Sequence, residues 1–308
     1  MKLFSKNIEI ELGTDTTKIT KVGSGTVIAE PSVVAVDKST DKCVTAGVNA
    51  QEIIRTVPDN VLSIKPIKNG VIYDFDYVVF MLDFFLRKVN LKIHKYTVIS
   101  VVPSSISPLE KKAFQELFKS IGARNVIIME KTIAAALDYN LPIKEADGVL
   151  VLDIGDGTTE IATIALDEIV SSKSIITSGN SFDRAIIGYI KDKYNICIGE
   201  GVAREIKHAI GDVASEHSKS YIVVGRDTLT GLPNKCTILS DDVKNALSPQ
   251  LDIICEAVKE VLDNTPIELV SHIKQTGMYL CGGSSKLGGI CEYISNKTGI
   301  QCKECTNE

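Results

Sequence analysis

The sequence predicts an α/β fold of two related lobes, and three observations carry that expectation. Residues 8–19 (IEIELGTDTTKI) are echoed by residues 150–161 (LVLDIGDGTTEI). Along the first half, β-branched runs alternate with amphipathic stretches, the order that gives a largely parallel central sheet. The 308 residues, 44% hydrophobic and 24% charged, suffice for two separate cores.

The echo holds one offset throughout. Glu11 matches Asp153, Gly13 matches Gly155, Thr16 and Thr17 match Thr158 and Thr159, and Ile19 matches Ile161. Each copy is an apolar strand, a carboxylate, a glycine-containing turn and a second strand with period-two alternation. Solenoid units recur every few tens of residues, so a spacing this long indicates two similar domains instead.

In chain order, Asp76–Val89 is a helix apolar on most faces and hence buried. The β-branched run Thr97–Pro103 is a strand. Ser107-Pro108-Leu109-Glu110 opens a helix with a capping box. Val126–Met129 is expected to be a short buried strand and Glu130–Asn140 an Ala-rich helix. In the second half, Ser181–Tyr194 and Gly201–Ile210 have helical spacing, and Arg226–Leu232 is a turn. Asp241–Asp263 is a long helical region mildly broken at Pro249, and Thr265-Pro266-Ile267-Glu268 repeats the capping-box device. Met278–Gly289 is strand, then glycine-rich loop, leading into a last helix.

A net charge of −5 argues against a general nucleic-acid binder, which needs a basic footprint. The eight cysteines are scattered, and with no signal peptide in Met1–Asn7 they are expected to be reduced thiols of a cytoplasmic protein. Cys302-Lys303-Glu304-Cys305 is the only C-x-x-C; lacking a second pair at finger-like spacing, it is taken as two thiols near a chain end. The most apolar run, Val78–Leu86, contains Asp83 and is too short to span a bilayer.

Glycine-rich turns after strands suit phosphate, because glycine lets the backbone approach an oxyanion and the N–H groups form a positive nest. Thr14, Thr16, Thr158 and Thr159 offer hydroxyl donors, and Glu11 and Asp153 can hold the waters of a Mg²⁺ ion. A single such turn is as well explained by an ordinary hairpin. Two matched copies plus Gly282-Gly283-Ser284 at a third strand end imply a nucleotide clamped between lobes.

IELGTDTT and VLDIGDGTTEIATIAL resemble the two phosphate loops of the superfamily of actins, heat-shock chaperone ATPases and sugar kinases. VIIMEKTIAAALDYNLPI, SFDRAIIGYIKDKYNICIGEGVAREIKHAIG, GRDTLTGLP and TPIELVSHIKQTGMYLCGGSSKLGG are similar, block by block, to the MreB family of bacterial actin-like cell-shape proteins, from about Asn7 to Gln301. The resemblance implies a two-lobed actin-like, ribonuclease-H-like duplicated ATPase fold. Its lobes would be 1–145 and 146–308, with small subdomains inserted at about 33–66 and 181–245. It implies ATP and Mg²⁺ as cofactors, self-assembly into filaments, and a role in cell shape and the guidance of cell-wall synthesis, with the cell-wall elongation machinery as partner. It also implies a cytoplasmic protein peripheral at the inner face of the cytoplasmic membrane. In this reading Gly13, Thr14, Asp15, Thr16, Gly155, Asp156 and Gly157 surround the phosphates. Gly179 and Asn180 lie near the ribose. Arg204 and Lys207, which would otherwise be a solvated helix face, line the adenosine side with Gly282, Gly283 and Ser284. Glu11 and Asp153 are the metal-side carboxylates, and Glu130, Lys131 and Thr158 the candidates for the hydrolytic step.

The chain departs from the family pattern where that step occurs. Glu11 stands where the family has Asp, Asp156 and Ser284 where it has Gly, and Lys131 where a Glu orients the attacking water. Thr132 replaces the following Pro. The family also continues beyond the Thr298–Ile300 region, whereas this chain stops at Glu308. Slow hydrolysis is therefore expected. Lipid contact is expected at Leu3 and Phe4, or at Leu91 and Ile93 among Arg87, Lys88, Lys92 and Lys95, equally a helix end turning into a strand. Filament contacts are expected at Thr40–Val48 and Gly225–Pro233. Alternatives with the same fold are a hydrolysis-poor regulatory paralogue and a plasmid-segregation-type actin. A sugar kinase is another, though no separate substrate motif is evident; so is a chaperone-like ATPase, though no peptide-binding domain follows.

Overall fold

The computed structural model describes residues 7–57, 59–214 and 219–305. The chain divides into two compact units, one ending at Ala134 and the other beginning at Ala135.

In the first unit the main sheet holds β1 (Asn7–Leu12), β2 (Thr16–Lys21), β3 (Gly25–Pro31), β9 (Thr97–Val102) and β10 (Asn125–Glu130), in the order β10-β9-β1-β2-β3. A smaller sheet is formed by β4 (Val34–Asp37), β5 (Lys42–Ala46) and β6 (Val61–Ile64), against which α1 (Val48–Thr56) packs Ala50. A two-stranded ribbon, β7 (Ile67–Lys68) and β8 (Val71–Ile72), precedes α2 (Phe75–Lys88). The unit's remaining helices are α3 (Pro108–Ser120) and the start of α4 (Lys131–Asp138). The second unit's main sheet holds β11 (Val149–Ile154), β12 (Thr159–Ala165), β13 (Glu168–Ile175), β17 (Met278–Cys281) and β18 (Cys302–Glu304), ordered β13-β12-β11-β17-β18. Between β13 and β17 come α5 (Gly179–Tyr194), β14 (Ile196–Cys197), α6 (Glu200–Ile210), β15 (Ser220–Asp227), β16 (Pro233–Leu239), α7 (Ser240–Asp263) and α8 (Ile267–Thr276); α9 (Ile290–Thr298) joins β17 to β18.

The two main sheets share one topology. Three consecutive antiparallel strands are followed by two strands added in parallel through a helix, β9-α3-β10 in one and β17-α9-β18 in the other. Their amphipathicity differs, as their sequences dictate. NIEIEL buries alternate residues, whereas all six residues of VLVLDI are buried, the pattern of a strand covered on both faces. Phe85, Phe114 and Phe118 fill the first core beneath Ile8, Ile10 and Ile19; Phe182, Ile186 and Ile190 with Leu251 and Ile254 fill the second. Each such side chain contributes about 1.5–3 kcal/mol by leaving water.

The expected capping box forms: the Ser107 N–H donates to Glu110 Oε2 at 2.9 Å and Ser107 Oγ accepts from Glu110 N at 3.3 Å. Three local expectations are corrected. The second capping box does not form, because Thr265 is buried, donating its hydroxyl to the Val261 carbonyl (2.7 Å) and lying 3.0 Å from Thr163 Oγ1; Pro266 occupies the N-cap position of α8, with no side-chain capping bond. Strand β10 is an edge strand with Ile127 49% exposed rather than a buried one, since β9 pairs with it on one side only. Helix α7 runs through Pro249 without interruption.

Leu91 and Ile93 are also corrected. They are 8% and 5% exposed and pack in the first unit's core, so they are not a lipid-contacting pair. Of the nearby bases, Lys88 pairs with Glu30 at 2.5 Å and Arg87 with Asp83 at 2.8 Å. Leu3 and Phe4 lie outside the described residues. Among the described residues no helix is long and apolar enough to cross a membrane.

Candidate functional site

The duplicated turns are built by one hydrogen bond. The Gly13 N–H donates to the Thr16 carbonyl at 3.1 Å, and the Gly155 N–H to the Thr158 carbonyl at 3.0 Å. A Cβ on Gly13 would stand 2.5 Å from that Thr16 oxygen, which is why the first turn requires glycine there. Each turn is braced from behind by a buried threonine. Thr17 Oγ1 lies 2.9 Å from Ser32 Oγ, which in turn donates to the Gly13 carbonyl at 2.7 Å; Thr159 Oγ1 donates to the Thr177 carbonyl at 2.7 Å.

In the second unit the turn is stitched to the start of α5. The Gly179 N–H donates to the Gly155 carbonyl (2.9 Å), and the Asn180 N–H and Ser178 Oγ to the Asp156 carbonyl (2.9 and 2.7 Å). Beside this stitched segment opens a cavity of about 280 Å³, lined on its polar side by Asp156, Arg204, Lys207, His208, Gly283 and Ser284. Phe182 and Leu287 give it an apolar floor. Ligand pockets combine an apolar lining with a few placed polar groups, and this volume is near the lower end of their size range.

Lys207 is largely withdrawn from solvent, whereas Arg204 stays half-exposed, and both are tied to α5. Lys207 Nζ is 2.6 Å from Asp183 Oδ1 and donates to the Gly179 carbonyl at 3.2 Å; Arg204 Nε is 3.2 Å from Asp183 Oδ2, and its Nη2 is 3.4 Å from Asn180 Oδ1. Asp183, whose side chain is 3% exposed, is the buried anion that fixes both cations. Sequence reasoning missed it, because only the packing of α6 against α5 brings Asp183 to Arg204 and Lys207 and no local spacing joins them.

Gly282 ends β17 with φ +88°, and a Cβ there would lie 2.5 Å from the Ile154 carbonyl and 2.8 Å from Asp153 Oδ1. Asp153 therefore sits at the root of both the second turn and the Gly282–Ser284 loop, 5% exposed. A Cβ on Gly179 would meet Ser284 Oγ at 2.9 Å and Asp156 Oδ1 at 3.1 Å, so the Asp156 and Ser284 departures from the family pattern face one another across that glycine. Gly157 and Thr158 complete the turn, Thr158 7% exposed.

The first unit arranges its charges differently. Lys131 Nζ lies 3.5 Å from Glu11 Oε1, and Lys18 Nζ 3.8 Å from Glu11 Oε2. Glu130, next to Lys131, is held by Lys111 at 2.6 Å. Asp15 pairs with Lys65 at 2.8 Å, and the Thr14 hydroxyl accepts from the Gly70 N–H at 3.1 Å. Thr132 is fully buried, its hydroxyl 2.9 Å from Ser104 Oγ.

A Mg²⁺ ion supplies charge neutralisation to phosphate oxygens when bound. Asp153, a carboxylate at a strand end beside a glycine loop, fits a role in holding its waters. Glu11 does not fit as it stands, because two ammonium groups already face its two oxygens.

Two sheets of one topology, each with a turn closed by a Gly N–H to Thr carbonyl bond, define the class: this is an actin-like fold. The comparisons agree and narrow it. A family profile described as MreB/Mbl protein matches residues 5–307. The cell shape-determining protein Mbl of Bacillus cereus is 38% identical over 291 residues, covering 94% of this chain and 87% of that protein. MreB of Escherichia coli is 37% identical over 306 residues, covering 97% and 88%. MreB5 of Spiroplasma citri, solved bound to AMPPNP, superposes with a TM-score of 0.89 at 32% identity over 98% of this chain and 92% of that one. MamK, in a double helical filament, shares the fold with a TM-score of 0.77 at 18% identity. The chain belongs to the MreB/Mbl family.

Proposed function

We propose that this chain binds ATP, assembles into actin-like filaments and supports cell shape, with hydrolysis slow for its family. The observation that carries the reading is the second-unit cavity. Its polar wall joins the Gly155–Thr158 turn to Arg204, Lys207 and the Gly282–Ser284 loop. Relatives named as cell shape-determining proteins and a relative solved with AMPPNP support it. Adenosine would occupy the cavity, with its phosphates directed to the Gly155, Asp156 and Gly157 backbone. Gly13, Thr14 and Thr16 form the matching turn of the first unit, with the same Gly N–H to Thr carbonyl bond.

Slow hydrolysis is supported by the charge arrangement of the first unit. Lys131, at the position matching the family's water-orienting Glu, pairs with Glu11 and carries no lone pair to orient water while charged. Glu130 is occupied by Lys111. Losing a positioned base typically costs about 10²–10⁴-fold in rate. A regulatory, hydrolysis-poor member of a filament system is the reading this pair favours within the family. Attachment at the inner membrane face is assigned to Leu3 and Phe4, and guidance of cell-wall synthesis is taken from the relatives. The test is calorimetric titration with AMPPNP, followed by sedimentation with ATP and with anionic vesicles. Binding with pelletable polymer is expected; no heat and no pellet would overturn the reading.

A further inference from the structure

Four of the eight cysteines lie in two touching pairs at the end of the second unit's sheet. Cys281 Sγ is 3.3 Å from Cys305 Sγ, and Cys302 Sγ is 3.5 Å from Cys291 Sγ. The C-x-x-C spacing does not bring its own members together, because residues three apart on an extended strand point to opposite faces. Each instead finds a partner from elsewhere in the fold: Cys305 meets the last residue of β17, Cys302 the first turn of α9.

The backbone holds both pairs in place. Strands β17 and β18 run parallel with Met278 opposite Cys302 and Leu280 opposite Glu304, and the Cys305 N–H donates to the Leu280 carbonyl at 2.9 Å. Cys281 and Cys305 are thus neighbours on adjacent strands, whose ordinary spacing of roughly 4.7–4.9 Å is compatible with a disulfide. For the other pair, Ser295 Oγ donates to the Cys291 carbonyl at 2.6 Å and accepts from the Cys302 N–H at 2.9 Å, tying helix to strand beside the two sulfurs. In each pair one thiol is buried (Cys281 and Cys302) and one partly exposed (Cys305 and Cys291). That division suits an exchange in which the outer thiol meets a reagent and the inner one resolves it. Among the described residues no group of three or more His, Cys, Asp or Glu side chains could hold a metal ion.

We propose that Cys281–Cys305 and Cys291–Cys302 form a double redox-modification site, closing reversibly into two disulfides that clamp the terminal strand β18 to β17 and α9. The oxidant is a low-molecular-weight disulfide. The outer thiolate attacks one of its sulfurs and releases one small thiolate, leaving a mixed disulfide. The inner thiol, losing its proton, then displaces the second small thiolate. Two protein thiols give up two electrons and two protons, the small disulfide takes up both electrons, and the two released thiolates take up the protons. Entry is easier at Cys291, whose thiol the hydrogen bond from Cys302 holds below its ordinary pKa, than at Cys305, which burial pushes up.

The test uses the full chain, fully reduced and then equilibrated with oxidised and reduced glutathione at graded ratios. Free thiols are trapped by alkylation and bridges mapped by mass spectrometry. Two intramolecular bridges of the stated pairing are expected, each lowering the mass by two hydrogens, with the exposed Cys197 carrying an adduct instead. Cys305→Ser and Cys291→Ser, substitutions at the partly exposed members, should each remove one bridge and leave the other. Amide exchange of Cys302–Glu304 should slow on oxidation by about ten-fold or more, and recover on reduction. All eight cysteines remaining alkylatable at the most oxidising ratio, adducts without bridges, or bridges of other pairing would each overturn the proposal.

Discussion

Lys131 Nζ faces Glu11 Oε1 at 3.5 Å, one residue from a Glu130 that is itself turned to Lys111. Two departures from the family pattern are therefore one interaction: a longer carboxylate reaches an ammonium group that replaces a carboxylate. Lys131→Glu should break the pair and restore a group able to orient water. Phosphate release under polymerising conditions should then rise by about ten-fold or more, part of the usual general-base range. An unchanged or slower release would remove Lys131 as the cause of slow turnover.

Glu130 should have little influence on the same reaction. Its carboxylate is held at 2.6 Å by Lys111, so Glu130→Ala is expected to leave phosphate release within about two-fold of wild type. Collapse of the rate in that variant would mean the neighbour has taken over the role assigned away from it.

Gly282 and Gly283 make a matched pair for the cavity. At Gly282 a Cβ would collide with the Ile154 carbonyl, and φ +88° disfavours any L side chain. Gly282→Ala should therefore lower the thermal midpoint and weaken nucleotide binding together. A Cβ at Gly283 meets nothing within 4 Å, and the residue lines the cavity. Gly283→Ala should keep the midpoint and weaken only AMPPNP binding; calorimetry that finds binding intact in Gly283→Ala would move the ligand elsewhere.

Asp183→Asn strips the counter-ion from Arg204 and Lys207 at once. Removing one partner of a buried pair costs about 3–5 kcal/mol, and the half-exposed Arg204 can relax into water, so the lower figure applies. Urea unfolding of the second unit should report it, with AMPPNP affinity falling in parallel.

Acid should spare the turn of the small first-unit sheet. Asp37 accepts from the Ser39 hydroxyl, from the Thr40 and Ser39 N–H groups and from the Thr40 hydroxyl, and its carboxyl is lowered from 3.8 to about 2. A depressed carboxyl contributes its stability above 3.8 and loses it as pH falls through about 2. A carboxyl titration by NMR should place the Asp37 midpoint near 2; a midpoint close to 3.8 would show the turn to be open in solution.

The duplication was legible because it lay in local pattern. A carboxylate, a glycine and paired threonines at one spacing predict a strand-turn-strand twice, and Gly13 and Gly155 form the same bond in both. Charge pairing was not legible. Nothing in one dimension joins Glu11 to Lys131, Glu130 to Lys111, or Asp183 to Lys207. Capping was misjudged at Thr265 for a related reason: a tertiary partner, Thr163, competes for the hydroxyl that a local motif would use. Leu91 and Ile93 look surface-active among lysines, yet a helix end turning into β9 puts both inside. The cysteines read as scattered, and their two contacts were not legible, since spacing along a strand says which face a thiol is on but not what waits there.

The cavity of the second unit gathers Arg204, Lys207, His208 and Lys286 on a chain whose net charge is −5. Its consequence is kinetic. An anion approaching at random meets a molecule of net negative charge, and the cations of that mouth, partly offset by Asp183 and Asp156, act only within about a Debye length, roughly 8–10 Å at ordinary ionic strength. Capture of a small anion is thereby biased toward this mouth. Added salt weakens the local attraction and the general repulsion together. The arrival rate of a small anion should then change less steeply with ionic strength than three clustered cations alone would suggest.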